Sequence, residues 1–525
     1  MVNLADHAVI VPILAPLTAG ALMLLIPERL RMVKVALGLG VLLALLTLAL
    51  AQMAAGLQPG SEAIRVYRLG DWSAPYGIVL VADRLAGLMV GLTSALGLAA
   101  LTFSTARWDR AGPRFHALFM FLITGVNGAI LTGDLFNLFV FFEIMLAASY
   151  GLVLHGSGPD RLRAGLAYVS VNLTASFLFL IGVALIYGAT GTLNIADLVL
   201  AARTLEPDQR PLYHLGLAIL GLAFLTKSAI WPVGLWLVPT YAAASAPAAA
   251  VLAILSKVGV YVLVRLTLLL TGDDAGASGG FGGPILLVGG LVTVVCATAG
   301  LLSSRSLTRA AGFSVIVSSG TVVAVLGSGD LSALSGALFY LVGSTLACAA
   351  LFLVAEVLER QSDDQRAEPV FDDEYRDPFD DRERNTPGLV IPRAVSAIGG
   401  ALVLCALMIG GLPPLAGFVG KLAMMAGLVA RGGAADWLVV AVLTLSSLGA
   451  VIALTRLGAG KVWMRKDTEA PLMVGAAEAV GISGLLAGCV ALAIFAGTAL
   501  VYMDMTTGSL ADRQAYVSTV MDRGP

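Results

Sequence analysis

The stretch GDLFNLFVFFEIMLAASYG (133–151) decides the fold. It is apolar throughout except at Asp134, Asn137, Glu143 and Ser149, and it is long enough to span most of a ~30 Å hydrocarbon layer as a helix. Glu143 follows Asp134 by nine residues, which places it ~13 Å along a helix at 1.5 Å per residue, close to the bilayer centre. A charge there costs ~2.5–3.5 kcal/mol on insertion scales, so such a residue faces a bundle interior and serves a function.

The rest of the chain reads the same way. Of 525 residues 58% are hydrophobic and 13% charged, far from the balance of a soluble domain. Fourteen apolar runs, the first at 4–26 and the last at 473–503, predict an all-α membrane protein with about 14 transmembrane helices. The first run lacks a basic flank and a small-residue cleavage site and reads as a retained helix. Twenty of the 32 Lys and Arg residues fall on one set of alternating loops and eight on the other. This asymmetry predicts both termini outside the bacterial inner (cytoplasmic) membrane. The segments divide as 1–110, 111–270, 284–455 and 456–525. A Gly-rich connection lies at 271–283, and 356–393 reads as an acidic, proline-rich cytoplasmic loop.

Other function classes fall away on composition. A net charge of −2 excludes a nucleic-acid partner. Cys296, Cys348, Cys405 and Cys489 lie far apart, as do the four histidines, so no metal, iron–sulfur or haem cofactor is expected. A hard cation such as sodium wants several oxygen ligands, and Glu143 is the one central carboxylate. Asp83, Asp134 and Asp197 sit near span ends. The chain is better equipped for protons.

Three lysines join Glu143. Lys227 lies in LGLAFLTKSAIWPVGLW, five residues before Pro232, and Lys421 lies in GGLPPLAGFVGKLAMMAG, seven after Pro414. Proline removes a backbone donor and clashes with the preceding turn, so both helices are predicted to break near their lysines. Paired interrupted helices mark transport sites. Lys257 lies in AILSKVGVYVL, inside the eighth span. One such lysine could merely lock helices together as half of an ion pair. Three with a carboxylate favour a proton relay, with Glu143 and Lys227 as the natural ion pair. Ser149, Thr226, Ser228, Ser256, Ser318 and Ser319 are candidate supports for bridging waters, although small polar residues also pack helices in membranes. Arg265 cannot shed its proton and reads as an outward-snorkelling charge.

These runs, with SKVGVYVLVRL following the seventh span, resemble the D-type subunit of the Mrp-type multisubunit Na+/H+ antiporter, and more distantly the antiporter-like subunits of respiratory complex I. The resemblance implies two inverted five-helix repeats with broken helices 7 and 12. It implies a relay from Glu143 and Lys227 through Lys257 to Lys421, other Mrp subunits and membrane lipid as partners, and sodium passing through a neighbouring subunit. The chain would be a secondary transporter subunit and not an enzyme. Two departures stand out. Relatives often carry a histidine near Ser318–Ser319, and polar residues in the eleventh span, where this chain reads YLVGSTLACAALFL with Gly343 and Cys348. The alternatives are a pumping subunit of a complex I-like or hydrogenase complex, and a non-transporting scaffold.

Overall fold

The computed structural model describes residues 6–58, 64–272, 275–364, 393–463 and 473–521. They form a helical bundle of nineteen α-helices. Ten of these are long and apolar enough to cross a membrane, and Val11–Leu25, Phe115–Leu131 and Ala394–Gly410 are shorter apolar helices.

The helices that position the site are α1 (Val11–Leu25), α2 (Arg31–Gly56), α3 (Arg84–Ser104), α4 (Phe115–Leu131), α5 (Leu135–Val153) and α6 (Pro159–Thr190). They continue as α7 (Ile195–Thr204), α8 (Arg210–Lys227), α9 (Leu237–Ala243), α10 (Ala246–Leu270), α11 (Gly283–Ser303), α12 (Leu307–Ser328) and α13 (Leu331–Asp364). After these come α14 (Arg393–Gly410), α15 (Ala416–Arg431), α16 (Ala434–Gly458), α17 (Ala476–Ile494), α18 (Ala496–Ala511) and α19 (Arg513–Met521). α10 and α13 are apolar on all sides because neighbours surround them completely, whereas α2, α6 and α16 turn apolar faces outward. α10 is the axis: it packs against α3, α8, α12 and α13.

Several details depart from the sequence reading. The chain is not purely helical. Strands β1 (Ile64–Arg68) and β2 (Val79–Asp83) pair antiparallel between α2 and α3. Their alternating β-branched residues suit a pleated, half-buried surface. The last run divides into α17 and α18 at Phe495. α13 continues to Asp364, so the start of the 356–393 segment is helical, while 365–392 lie outside the described residues.

The hairpin braces one end of the bundle. Gly133 N donates to Val79 O (2.9 Å), Ile195 N to Gly133 O (2.9 Å) and Leu135 N to Leu193 O (2.9 Å). Three inter-element turns are thereby stitched by backbone bonds, and α5 leaves the stitch with Asp134 capping it at Asn137 N (2.8 Å). Burial holds the Asp134 carboxyl above the ordinary carboxylate range, against the opposing pull of the Asn137 and Phe136 N–H groups.

Arg265 does not snorkel. It is buried and bonds Asp83 Oδ2 at 2.7 Å, with its guanidinium 5.1 Å from the Tyr261 ring centre. A desolvated guanidinium is stable only with such a partner, and the partner lies at the hairpin's end, remote in sequence. Asp83 also caps α3 at Ala86 N (2.8 Å). Arg265→Met alone should therefore destabilise the protein by ~3–5 kcal/mol, because it strands a buried carboxylate. Asp83→Leu with Arg265→Met should recover all but the ~1 kcal/mol of the lost cap. Thermal unfolding of the purified variants measures both.

Candidate proton-relay site

The first helix break follows from local chemistry. α8 ends at Lys227, and Pro232 supplies no N–H to continue it. Ser228 N to Phe224 O (2.8 Å) is the last regular bond; beyond it the freed carbonyls find other donors, Leu225 O from Ile230 N (2.9 Å) and Thr226 O from Trp236 Nε1 (3.1 Å). Trp231 N is taken by Thr293 Oγ1 on α11 (2.9 Å). Irregular backbone at membrane depth persists only with such substitutes.

Lys227, 4% exposed, is thus the last residue of a half-helix. Its Nζ donates to Ser176 Oγ on α6 (3.1 Å), and Ser176 Oγ donates in turn to Glu143 Oε1 on α5. The ammonium also lies 5.2 Å from the Phe142 ring centre. Among the described residues Glu143 and Lys227 form no direct ion pair; a hydroxyl stands between them. The direct pair expected from the sequence is replaced by a three-residue chain because α6 packs against both α5 and α8.

The second break separates α14 from α15 at 411–415. Lys421 lies in the second turn of α15 and reaches back to the carbonyls that close α14, Ile409 O (3.0 Å) and Gly410 O (3.3 Å), and to Ser447 Oγ on α16 (2.8 Å). The Tyr340 ring centre is 5.6 Å from Nζ. Gly411 makes this fit possible. Its φ is +72°, and a Cβ there would stand 2.6 Å from Lys421 Cδ.

Lys257, fully buried at mid-α10, donates to Val315 O (3.0 Å) and Ser319 Oγ (2.9 Å) on α12. Beside it, Ser318 Oγ and Ser344 Oγ of α13 share a bond of 2.7 Å. The eleventh span, which offered only Gly343 and Cys348 as landmarks, contributes this hydroxyl.

The remaining candidates serve differently. Ser149 bonds Tyr168 OH (2.8 Å) and Leu146 O (2.7 Å), away from any lysine. Thr226 and Ser256 bond carbonyls of their own helices, Leu222 O (2.9 Å) and Ala253 O (3.2 Å). Ser228 Oγ is buried without a partner among the described residues, and it packs so closely on Gly259 of α10 that a Cβ there would lie 2.5 Å away. Sequence reading missed Ser176 and Ser447, which carry only the ordinary signal of a small polar residue in an apolar run. Among the described residues no three His, Cys, Asp or Glu side chains gather as metal ligands.

A family model described as "NADH:quinone oxidoreductase/Mrp antiporter, TM" matches residues 132–449. A probable K(+)/H(+) antiporter D-type subunit of Rhizobium meliloti is 48% identical, covering 97% of this chain and 96% of that protein. A Na(+)/H(+) antiporter D-type subunit of Alkalihalophilus pseudofirmus is 35% identical over 80% of each. Among solved structures, a chain of the Mrp complex from Dietzia sp. superposes with a TM-score of 0.84 at 24% identity, over 99% of this chain and 100% of that one. A chain of respiratory complex I from Thermus thermophilus does so with 0.75 at 19% identity, over 97% and 99%. The last two share the fold.

The Gly411 geometry carries its own test. Gly411→Ala forces an L side chain into left-handed backbone at a cost of ~1–2 kcal/mol and pushes the Lys421 stem aside. It should lower the unfolding temperature and impair transport together, whereas Gly400→Ala, in open space on α14, should do neither.

Proposed function

This chain belongs to the NADH:quinone oxidoreductase/Mrp antiporter transmembrane family, and we propose that it conducts protons for a multisubunit monovalent-cation/proton antiporter. The observation that carries this reading is the Glu143–Ser176–Lys227 chain at the broken end of α8. Ser176 accepts from the ammonium and donates to the carboxylate. One concerted shift moves a proton from Nζ to Oγ and another from Oγ to Oε1, leaving a neutral amine and a neutral acid. Two charges in the low-dielectric bundle disappear at once, so the step relieves the desolvation that both forms resist. Reversal restores them. Lys257 then serves as the central station and Lys421 as the gate at the second break, with water in the intervals.

The same reading extends to the whole bundle. Counting α8/α9 and α14/α15 as one broken span each, and α17/α18 as the last, the chain has fourteen spans with both termini outside. α4–α10 and α11–α16 form two inverted five-helix repeats, with the breaks at Lys227 and Lys421 in corresponding positions. Inward proton flow here would be coupled to outward cation flow in a neighbouring subunit. The cation is an alkali ion chosen outside this chain, in which no three carboxylates gather among the described residues. The curated relatives carry both K+ and Na+ in their names. Likeness to complex I is a likeness of fold and brings no redox chemistry; quinone reduction by the purified complex would favour the pumping-subunit alternative.

In everted membrane vesicles, Glu143→Ala, Lys227→Ala and Lys257→Ala should each abolish dissipation of a pH gradient by added K+ or Na+, while the partner subunits still co-purify. Ser176→Ala, which removes the bridge and leaves both charges, should slow exchange by about a hundredfold. Wild-type rates in the three charge variants would refute the assigned roles.

A further inference from the structure

A polar cavity lies apart from the relay residues. It occupies about 370 Å³ where the ends of α3, α6, α9, α12 and α13 meet. At ~30 Å³ per molecule it has room for on the order of ten waters. Arg107, at its rim, is exposed, so the space communicates with solvent.

Most charges lining it are committed to holding helices. Glu359 caps α12 through Leu307 N (2.6 Å) and Thr308 Oγ1 (3.1 Å). Arg360 pairs with Glu478 at 2.9 Å, and Arg161 bonds Ala243 O (2.8 Å) while its guanidinium lies 4.9 Å from the Trp108 ring centre. Glu356 differs. It faces Arg107, Arg360 and the Trp108 indole, yet it makes no ion pair among the described residues.

Glu356 also begins a row. Glu356, Phe352, Cys348 and Ser344 follow one another at four-residue steps, a ridge winding along α13 toward the bundle centre. Phe352 lines the cavity, is 1% exposed, and stands 6.2 Å centre to centre from the Tyr241 ring, whose hydroxyl is tied to Leu252 O of α10 (2.7 Å). Those two rings close the cavity floor. Beyond them come Cys348, within electrostatic range of Lys257, and then the Ser344–Ser318 pair beside Ser319, which holds Lys257.

We propose that this cavity is the cytoplasmic vestibule through which Lys257 exchanges protons with solvent, with Glu356 as the group that receives them under inward flow and the Phe352 ring as an apolar gate. The inference rests on the relay reading given above. A buried aromatic constriction between a wet chamber and a row of hydroxyls blocks ion and proton passage while dry and conducts only when water threads past it. Under inward flow the row Ser319, Ser318 and Ser344 passes the proton away from Lys257 on the dry side, and Glu356 takes it up at the wet side. An antiporter needs such a barrier, because an open water column to Lys257 would short-circuit the gradient.

The test uses the complete complex in proteoliposomes. Glu356→Gln should slow alkali-cation-driven proton exchange by about tenfold or more, and Glu356→Asp should restore most of it. Phe352→Ala should open a proton leak under an imposed pH gradient with no alkali cation present, and adding Lys257→Met to the same chain should close that leak. Full exchange in assembled Glu356→Gln complexes, or a Phe352→Ala leak that survives Lys257→Met, overturns the vestibule. Wild-type exchange in Lys257→Met alone overturns instead the relay on which it rests.

Discussion

An ammonium group cannot remain in hydrocarbon without something to replace water, and how this bundle replaces it shapes everything else. Carboxylates are not the main answer. Lys421 rests on the last carbonyls of α14, and Lys227 is itself the final residue of α8. The end of a helix carries about half a negative charge spread over its unpaired carbonyls. Breaking α14 at membrane depth therefore creates a place where the Lys421 ammonium is stabilised without a formal counter-charge, while Lys227 meets the Glu143 carboxylate only through the Ser176 hydroxyl. Lys257, in mid-helix, has no such end. It borrows the second lone pair of Val315 O and the hydroxyl of Ser319. A half-charge or a hydroxyl holds an ammonium less firmly than a carboxylate would, and a relay needs sites that release as well as hold.

Serine suits the positions between these sites for a related reason. A hydroxyl donates and accepts with nearly equal ease, and rotation about one bond exchanges the roles. At Ser176 it bonds an acid and a base simultaneously, so a proton can pass in either direction without any helix moving. Ser319 and Ser447 likewise accept from Lys257 and Lys421, although Ser447 Oγ donates onward to Leu443 O of its own helix (2.9 Å) and not to an acid. Each lysine touches one serine of a neighbouring helix, whereas Thr226 and Ser256 bond only carbonyls of their own helices.

The sequence exposed what is costly and concealed what is cheap. Glu143, Lys227, Lys257 and Lys421 were legible because a charge in an apolar run is expensive, and the two breaks because Pro232 and Pro413–Pro414 cannot continue a helix. Ser176 was not, since a mid-span serine costs almost nothing when it bonds its own backbone. The β-hairpin escaped because its strands are five residues each, and the second, VLVAD, reads as the start of the apolar run that continues into α3. Arg265 was misread because its partner, Asp83, is far away in the chain and only the folded bundle brings them together.

That misreading exposes a division of labour along α10. Arg265 and Lys257 lie two turns apart, ~12 Å along one buried helix. The arginine has a full carboxylate partner and cannot lose its proton, so it is a permanent charge in a permanent pair. It ties the helix to the hairpin that also fixes the start of α5 and hence the depth of Glu143. The lysine has no carboxylate within ion-pair distance among the described residues, and its proton can leave. Exchange the two residues and each would fail: a guanidinium at 257 could never release, and an ammonium at 265 would lack the planar, multiply donating head that holds Asp83 in place. One helix thus carries the fixed charge that sets the geometry and the labile one that uses it.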